Sequence, residues 1–304
     1  MSEDKIKNKR GDHIYSAIGA GGLVRITAAE STMLCEEARR IHGLAPTACA
    51  ALGRTLTVCA ILSNGLKNED DALTLQIRGD GPLGSIVAVT DAFANVRGYV
   101  GNPSCDLPLN ARGKLDVGGA VGQGYLNIIK DLGLKEPYSG TIPLVSGEIA
   151  EDVACYYAVS EQIPSVVSLG VLVGPGDDGE NHVICAGGFM LQLMPGADES
   201  LISLLEDRVS SLKPVTQLLS EGKTIEFVMQ GLLEGYDITD EAVSPCAYRC
   251  NCSREKMEQA LINLGRSELH DIIETEGQAE ISCQFCGAKH VFGKAELTDL
   301  LGKI

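Results

Sequence analysis

Apolar positions recur along this chain with two periods, and the change from one to the other divides it. Up to residue 195, short apolar stretches are separated by glycine and proline. Leu73-Thr74-Leu75-Gln76-Ile77-Arg78 alternates strictly, and Ser85-Ile86-Val87-Ala88-Val89 is another such stretch. Period-two alternation of β-branched residues predicts half-buried strands. Helical stretches are expected from Thr32 to about His42, from Pro46 to about Leu62, and from Ile149 to Glu161, closed by Pro164. Pro46 suits a first helical turn, where the N–H it lacks would have no acceptor. Residues 1–195 therefore read as one mixed α/β (α+β) core domain.

Beyond residue 195 the period becomes helical. Leu201, Ile202, Leu204, Leu205, Val209 and Leu212 fall at helical spacing, with Pro214 ending that run or opening the next. Ile225, Phe227, Val228, Leu232 and Leu233 form another short amphipathic face, terminated near Gly235. Short helices joined by proline and glycine have little core of their own, so they must lie on a neighbour to stay folded. Residues 196–245 read as a metastable helical linker.

Residues 246–304 are compact again. Met257, Ala260, Leu261 and Leu264 sit at i, i+3, i+4 and i+7, with Ser253 placed as N-cap and Gly265 just past the end. Ile272 and Ile273 suit a second short helix. A knuckle at Cys283-Gln284-Phe285-Cys286-Gly287 lies between expected strands at 279–282 and 290–292, and Ala295, Leu297, Leu300 and Leu301 predict a closing helix.

Charge sharpens this division. The net charge is −16 over 304 residues, which argues against nucleic acid as the main partner, because phosphate binding needs a concentrated basic surface. The linker carries ten acids against three bases, while 246–304 carries nine against seven. The opening Met1-Ser2-Glu3-Asp4-Lys5 to Arg10 has charges with no apolar stretch behind it, unlike a secretory leader. The chain has no run of about 18 apolar residues, so no membrane span is expected. The expected location is the cytoplasm.

Eleven cysteines in a cytosolic chain are not a disulfide framework, because thiols there are kept reduced. Those that cluster point to metal or redox chemistry. Cys250 and Cys252, then Cys283 and Cys286 after a thirty-residue interval, form two close pairs of soft ligands. Such pairs suit tetrahedral zinc. Four thiolates complete a closed site, which leaves out nearby Cys246 and His290. A closed site has no open position for substrate, so zinc-activated hydrolysis is not expected. Zinc contributes about 10–16 kcal/mol of binding free energy to such modules, more than the core of so short a domain supplies. Cys35, Cys49, Cys59, Cys105, Cys155 and Cys185 are scattered singly and read as small buried hydrophobes.

Two glycine clusters, 19–22 and 118–124, superficially resemble phosphate-cradling loops. A dinucleotide fingerprint needs a strand before it and a helix after. Leu23-Val24-Arg25-Ile26-Thr27 follows the first cluster and reads as a strand, so turns are expected and nucleotide binding is not. Glu148, Glu151, Asp152 and Glu161 have no histidine or nucleophile placed with them, so helix faces and core hydrogen bonds account for them better than catalysis.

Tyr248-Arg249-Cys250-Asn251-Cys252-Ser253-Arg254-Glu255, with Glu280-Ile281-Ser282-Cys283-Gln284-Phe285-Cys286, resembles the redox-regulated chaperone family called heat shock protein 33. The resemblance extends over nearly the whole chain. It includes Gly79-Asp80-Gly81-Pro82-Leu83, Arg97-Gly98-Tyr99-Val100, Gly147 to Asp152, Ser160 to Ser165, Ala186-Gly187-Gly188 and Gln192-Leu193-Met194-Pro195. It implies a cytosolic, non-enzymatic holdase that is inactive when reduced and zinc-bound. Oxidation would join Cys250 with Cys252 and Cys283 with Cys286, release zinc and unfold the C-terminal module. The linker would then lose order, and the active dimer would hold unfolded client proteins. Cys246 lies outside the family motif and leaves a third thiol near the site.

Two other readings compete. A zinc-ribbon binding module predicts a basic, aromatic-bearing domain, whereas 246–304 is net acidic with Tyr248, Phe285 and Phe292 its only aromatics. A thiol oxidoreductase predicts Cys283 and Cys286 at a helix N-terminus in a βαβ setting.

Overall fold

The alternation at 73–78 and 85–89 belongs to a larger sheet, whose strands each turn one face to a shared core. In the computed structural model, residues 11–304 are described. The charged opening stretch, read above as no leader, lies outside the described residues. The chain divides into two units, one ending at Arg249 and the other spanning Cys250–Ile304.

The first unit opens with β1 (His13–Gly19), β2 (Val24–Glu30), α1 (Thr32–His42) and α2 (Pro46–Ser63). Then come β3 (Ala72–Gly79), β4 (Ser85–Asp91), β5 (Asn95–Val100), α3 (Val117–Val121), β6 (Gly124–Asp131) and β7 (Tyr138–Pro143). After these come α4 (Ala150–Val159), β8 (Ser165–Pro175) and β9 (Asn181–Leu193). The acidic segment adds α5 (Glu199–Ser211), α6 (Val215–Ser220), α7 (Ile225–Leu232) and β10 (Ile238–Pro245), and the two-residue β11 (Ala247–Tyr248) follows. One sheet has the order β10-β1-β2-β9-β8, the other β11-β5-β4-β3-β6-β7. The mixed α/β class is as expected.

Helix α2 packs against strands of both sheets, and all its residues but Pro46 and Arg54 are buried. It is not an unbroken apolar run, as Arg54 and three threonines interrupt it, but its length and mean hydropathy would by themselves suffice to cross a membrane. The same apolar surface is here covered by sheet on both sides, as in the core helix of a layered domain. The first glycine cluster is a turn, whereas the second, expected to be one, holds the short helix α3 and the first residue of β6. Gly21 and Gly22 adopt positive φ between β1 and β2. A Cβ on Gly124 would lie 1.8 Å from the Arg78 carbonyl oxygen, so backbone approach excludes a side chain there. Asp152 is fully buried and accepts from the amides of Val145, Ser146, Gly147 and Ile149, the core hydrogen-bonding role expected of it.

The five-stranded sheet is apolar on both faces. Ile14, Ala29 and Met190 face the central core. Their neighbours Tyr15, Ala28, Phe189 and Leu191 face outward and are covered by Leu201, Leu205, Val215, Leu218, Val228 and Leu232 of α5, α6 and α7. The acidic segment thus lies on a neighbour, as its composition required. Only its last part departs from a helical reading. Residues 238–245 are a strand paired with β1, and nearly all of them are exposed. No apolar alternation marks them, because main-chain pairing rather than burial holds them.

One buried ion pair also ties this segment to the sheet. His13 Nε2 lies 2.8 Å from Glu226 Oε1, and each side chain is 9% exposed. The other Glu226 carboxylate oxygen is buried without a partner. Glu30 on β2 accepts from the Ile225 amide, Tyr15 donates to Glu241 on β10, and the Asp12 carboxyl just before β1 also interacts with His13. The bond to Glu226 raises the His13 pKa above its ordinary 6.5 although burial opposes it. Burial pushes Glu226 up most strongly, but the bond to His13, its charge and the hydrogen bonds at the start of α7 together outweigh it, and the net shift from 4.5 is downward.

A histidine with a raised native pKa stabilises fully below its unfolded value, and this is lost as pH rises through the native one; a carboxylate with a lowered pKa behaves oppositely. The pair should hold α7 best between about pH 4.5 and 6.5. Hydrogen exchange of α7 amides, corrected for intrinsic rates, should show protection falling on the alkaline side. His13→Ala should cost about 3 kcal/mol of that protection, the lower end for removing one partner of a buried pair. A pH-independent profile would show that the pair does not secure α7.

Candidate metal centre

The second unit contains α8 (Arg254–Leu264), α9 (Arg266–Thr275), β12 (Gln278–Ser282), β13 (Lys289–Gly293) and α10 (Lys294–Leu301). Ser253 caps α8, its hydroxyl accepting from the Lys256 amide, and Gly265 follows the helix at φ 92°. The buried core is small: Leu261, Leu269, Ile273, Phe292, Leu297 and Leu300. The Arg254 guanidinium lies 4.2 Å from the Phe292 ring centre and pairs with Glu296 at 2.6 Å.

Strands β12 and β13 pair antiparallel, and the knuckle joining them presents two sulfurs. Cys283 N–H donates to the Ala288 carbonyl, and Gly287 N–H returns to the Cys283 carbonyl at 2.8 Å. Gly287 has φ 71°, the left-handed conformation that closes this turn and favours glycine. The other two sulfurs come from the extended stretch just before α8. Cys250 Sγ lies 3.7 Å from Cys283 Sγ, and Cys252 Sγ lies 3.4 Å from Cys286 Sγ. All four sulfurs lie within 4.8 Å of one another.

Thiolates at the usual zinc–sulfur length, arranged tetrahedrally, stand about 3.8 Å apart. The observed spacings suit that geometry and a soft four-sulfur donor set. Burial raises the Cys250 and Cys252 thiols. Burial opposes ionisation of Cys283 too, but the amides of Phe285 and Cys286 and the sulfurs of Cys250 and Cys286 outweigh it and lower its pKa. The arrangement can hold a metal ion. It can also be oxidised, and the short sulfur distances run between the sequence pairs as well as within reach of each.

The two neighbours set aside in the sequence fall elsewhere. His290 is on β13 outside the cluster. Cys246 belongs to the first unit, where its amide donates to the Asp12 carbonyl and its thiol is buried toward that of Glu30. Tyr248 holds the same stretch, donating to the Gly98 carbonyl at 2.9 Å. All eleven cysteines are free thiols. Cys35, Cys49, Cys59, Cys105 and Cys185 are buried, as expected of small hydrophobes, while Cys155 is only partly so. Burial pushes the Cys49 and Cys246 thiols up to about 12 and raises Cys35 and Cys59 further. A cleft of about 610 Å3 beside Phe93, Asn95 and Arg249 brings no histidine or carboxylate to its walls.

The chain thus consists of a layered α/β body and a small four-cysteine module whose sulfurs are spaced to hold a metal ion. A sequence model described as Hsp33 protein matches residues 12–293. The chain is 50% identical over 290 residues to the 33 kDa chaperonin of Acetivibrio thermocellus, covering 95% of this chain and 97% of that one. It is 48% identical over 291 residues to that of Ruminiclostridium cellulolyticum, covering 96% and 98%. The crystal structure of the 33 kDa chaperonin (heat shock protein 33 homolog) from Thermotoga maritima superposes with a TM-score of 0.88 at 39% identity, over 97% of this chain and 99% of that one. The chain belongs to the Hsp33 family of chaperones.

Cobalt(II) added to reduced protein should give the sulfur-to-metal charge-transfer absorption and visible bands of a tetrahedral four-thiolate site. Cys283→Ser should weaken both and lower affinity at least tenfold. His290→Ala should leave the spectrum unchanged; a loss of bands there would put nitrogen in the donor set.

Proposed function

We propose that this chain is a redox-regulated, ATP-independent holdase of the cytoplasm. Reduced, it holds one zinc ion through Cys250, Cys252, Cys283 and Cys286 and is inactive. The observation that carries the reading is the convergence of four sulfurs in a unit whose buried core is six apolar side chains. Zinc bound to such a site contributes about 10–16 kcal/mol, against the few that so small a core provides. The metal therefore decides whether the unit is folded.

Oxidation would couple Cys250 with Cys252 and Cys283 with Cys286. Forming each disulfide transfers two electrons from a pair of thiolates to an oxidant such as peroxide, which is reduced to water, and a disulfide sulfur is a poor zinc ligand. Zinc leaves, and residues 246–304 lose their main stabilisation. The linker 196–245 loosens next, while the core 1–195 stays folded. Short acidic helices depend on docking, and their charge opposes compaction once they are released. The active species would be a homodimer that binds unfolded client proteins, with neither nucleic acid nor membrane as partner. A thiol oxidoreductase is disfavoured because Cys283 and Cys286 lie in a knuckle between β12 and β13 rather than at a helix N-terminus.

Oxidised protein should suppress aggregation of a chemically unfolded client without ATP, and reduced zinc-bound protein should do little. Equal suppression by both forms would remove the switch but not the chaperone role. Limited proteolysis of oxidised protein should cut first beyond about residue 195. A linker as protected as the core after zinc loss would mean that unfolding does not spread.

A further inference from the structure

The outer edge of β1 is covered only by β10, and the way it is covered is informative. The pair is antiparallel, with Ile14 opposite Ser244, Tyr15 opposite Val243 and Ser16 opposite Ala242. The register shifts near Asp240, whose φ is 51°, and resumes with Ile18 opposite Thr239. Seven of the eight β10 residues are exposed, all but Ile238. Its side-chain links to β1 are Glu241, accepting from Tyr15, and a long Thr239 hydroxyl contact of 3.5 Å to the Ile18 carbonyl. What β1 recognises in β10 is therefore an extended main chain, almost without regard to sequence.

The direction of that recognition can be assigned. The Asp12 carbonyl accepts from the Cys246 amide, so residue 12 points its main-chain groups toward β10. Both main-chain groups of a strand residue point the same way, and successive residues alternate, so Ile14 and Ser16 face β10 while His13 and Tyr15 face β2. Pro245, which has no N–H, stands opposite His13, where no hydrogen bond is formed. The edge also adjoins the apolar face of Tyr15, Ala17, Val24, Ile26, Phe189 and Leu191 that α5, α6 and α7 cover. Strand β1 itself, His-Ile-Tyr-Ser-Ala-Ile-Gly, has no proline, lysine or acid to discourage pairing.

We propose that the β1 edge is a strand-addition site for an extended segment of unfolded polypeptide, which takes the place of β10. This rests on the release of the linker proposed above. Unfolded chains share an unpaired main chain whatever their sequence, which is the chemistry that strand addition reads. Strand β10 is a weak competitor once α5 to α7 have left. Its Thr239, Asp240, Glu241, Ala242 and Ser244 are small or acidic, whereas an apolar client segment would also cover the exposed sheet face.

The test uses the full chain and, as probe, reduced carboxymethylated α-lactalbumin, which cannot refold. Amide-resolved hydrogen exchange should find Ile14 and Ser16 protected in reduced protein, exchanging at least tenfold faster after oxidation, and protected again with probe bound. His13 and Tyr15, paired to β2, should stay protected throughout. A short valine- and threonine-rich peptide should compete with the probe, and its copy N-methylated at alternate residues should compete at least tenfold less well. If the oxidised protein binds probe and prevents its aggregation while Ile14 and Ser16 keep exchanging, strand addition is overturned and the holdase reading stands. Protection appearing on the β8 edge instead also overturns it. So does protection that rises with protein concentration in the absence of probe, which would make a second copy the occupant. If oxidised protein neither binds the probe nor prevents its aggregation, the holdase reading itself fails.

Discussion

A sheet that is apolar on both faces has to be covered twice. Here the two covers are unequal. The inner face meets α2, which is buried along almost its whole length, and beyond it a second sheet. The outer face meets three short helices from a segment with ten acids and three bases. The burial of Tyr15, Val24, Ile26 and Phe189 thus depends on a segment with little stability of its own. The central core and the layer formed by the acidic helices are thus separate clusters on opposite faces of one sheet.

The second unit has its own dependence. Six buried apolar residues give it little margin, and four sulfurs within reach of a single ion lie at one end of its hairpin. The knuckle geometry follows from local chemistry: a glycine able to take φ 71° and amides directed at the Cys283 sulfur. The two halves of the chain thus share a design in which a robust part and a conditional part lie next to each other in sequence. Strand β11 and Tyr248 fasten residues 247–249 to the first unit immediately before the first cysteine.

Much of this was legible in the sequence where the cause is local. Pro46 opens α2, Ser253 caps α8, the alternation at 73–78 forms β3, and the cysteine spacing marks the four-sulfur cluster. What escaped has nonlocal causes. Strand β10 has no hydrophobic period because β1 supplies its partner from more than two hundred residues away. The His13–Glu226 pair spans 213 positions, and nothing in either neighbourhood announces the other. Helix α2 has no unbroken apolar run to mark it, yet its mean hydropathy over 18 residues would suffice to cross a membrane. Burial between sheets accounts for the same composition.

The thiols buried in the first unit have a chemical consequence. A thiol whose pKa lies near 12, as for Cys49 and Cys246, is about three powers of ten poorer in thiolate at neutral pH than an ordinary one near 8.5, and thiolate is the form that oxidants attack. Cys35 and Cys59 are further removed still. Burial thus keeps Cys35, Cys49, Cys59 and Cys246 of the first unit in the thiol form, which oxidants attack least.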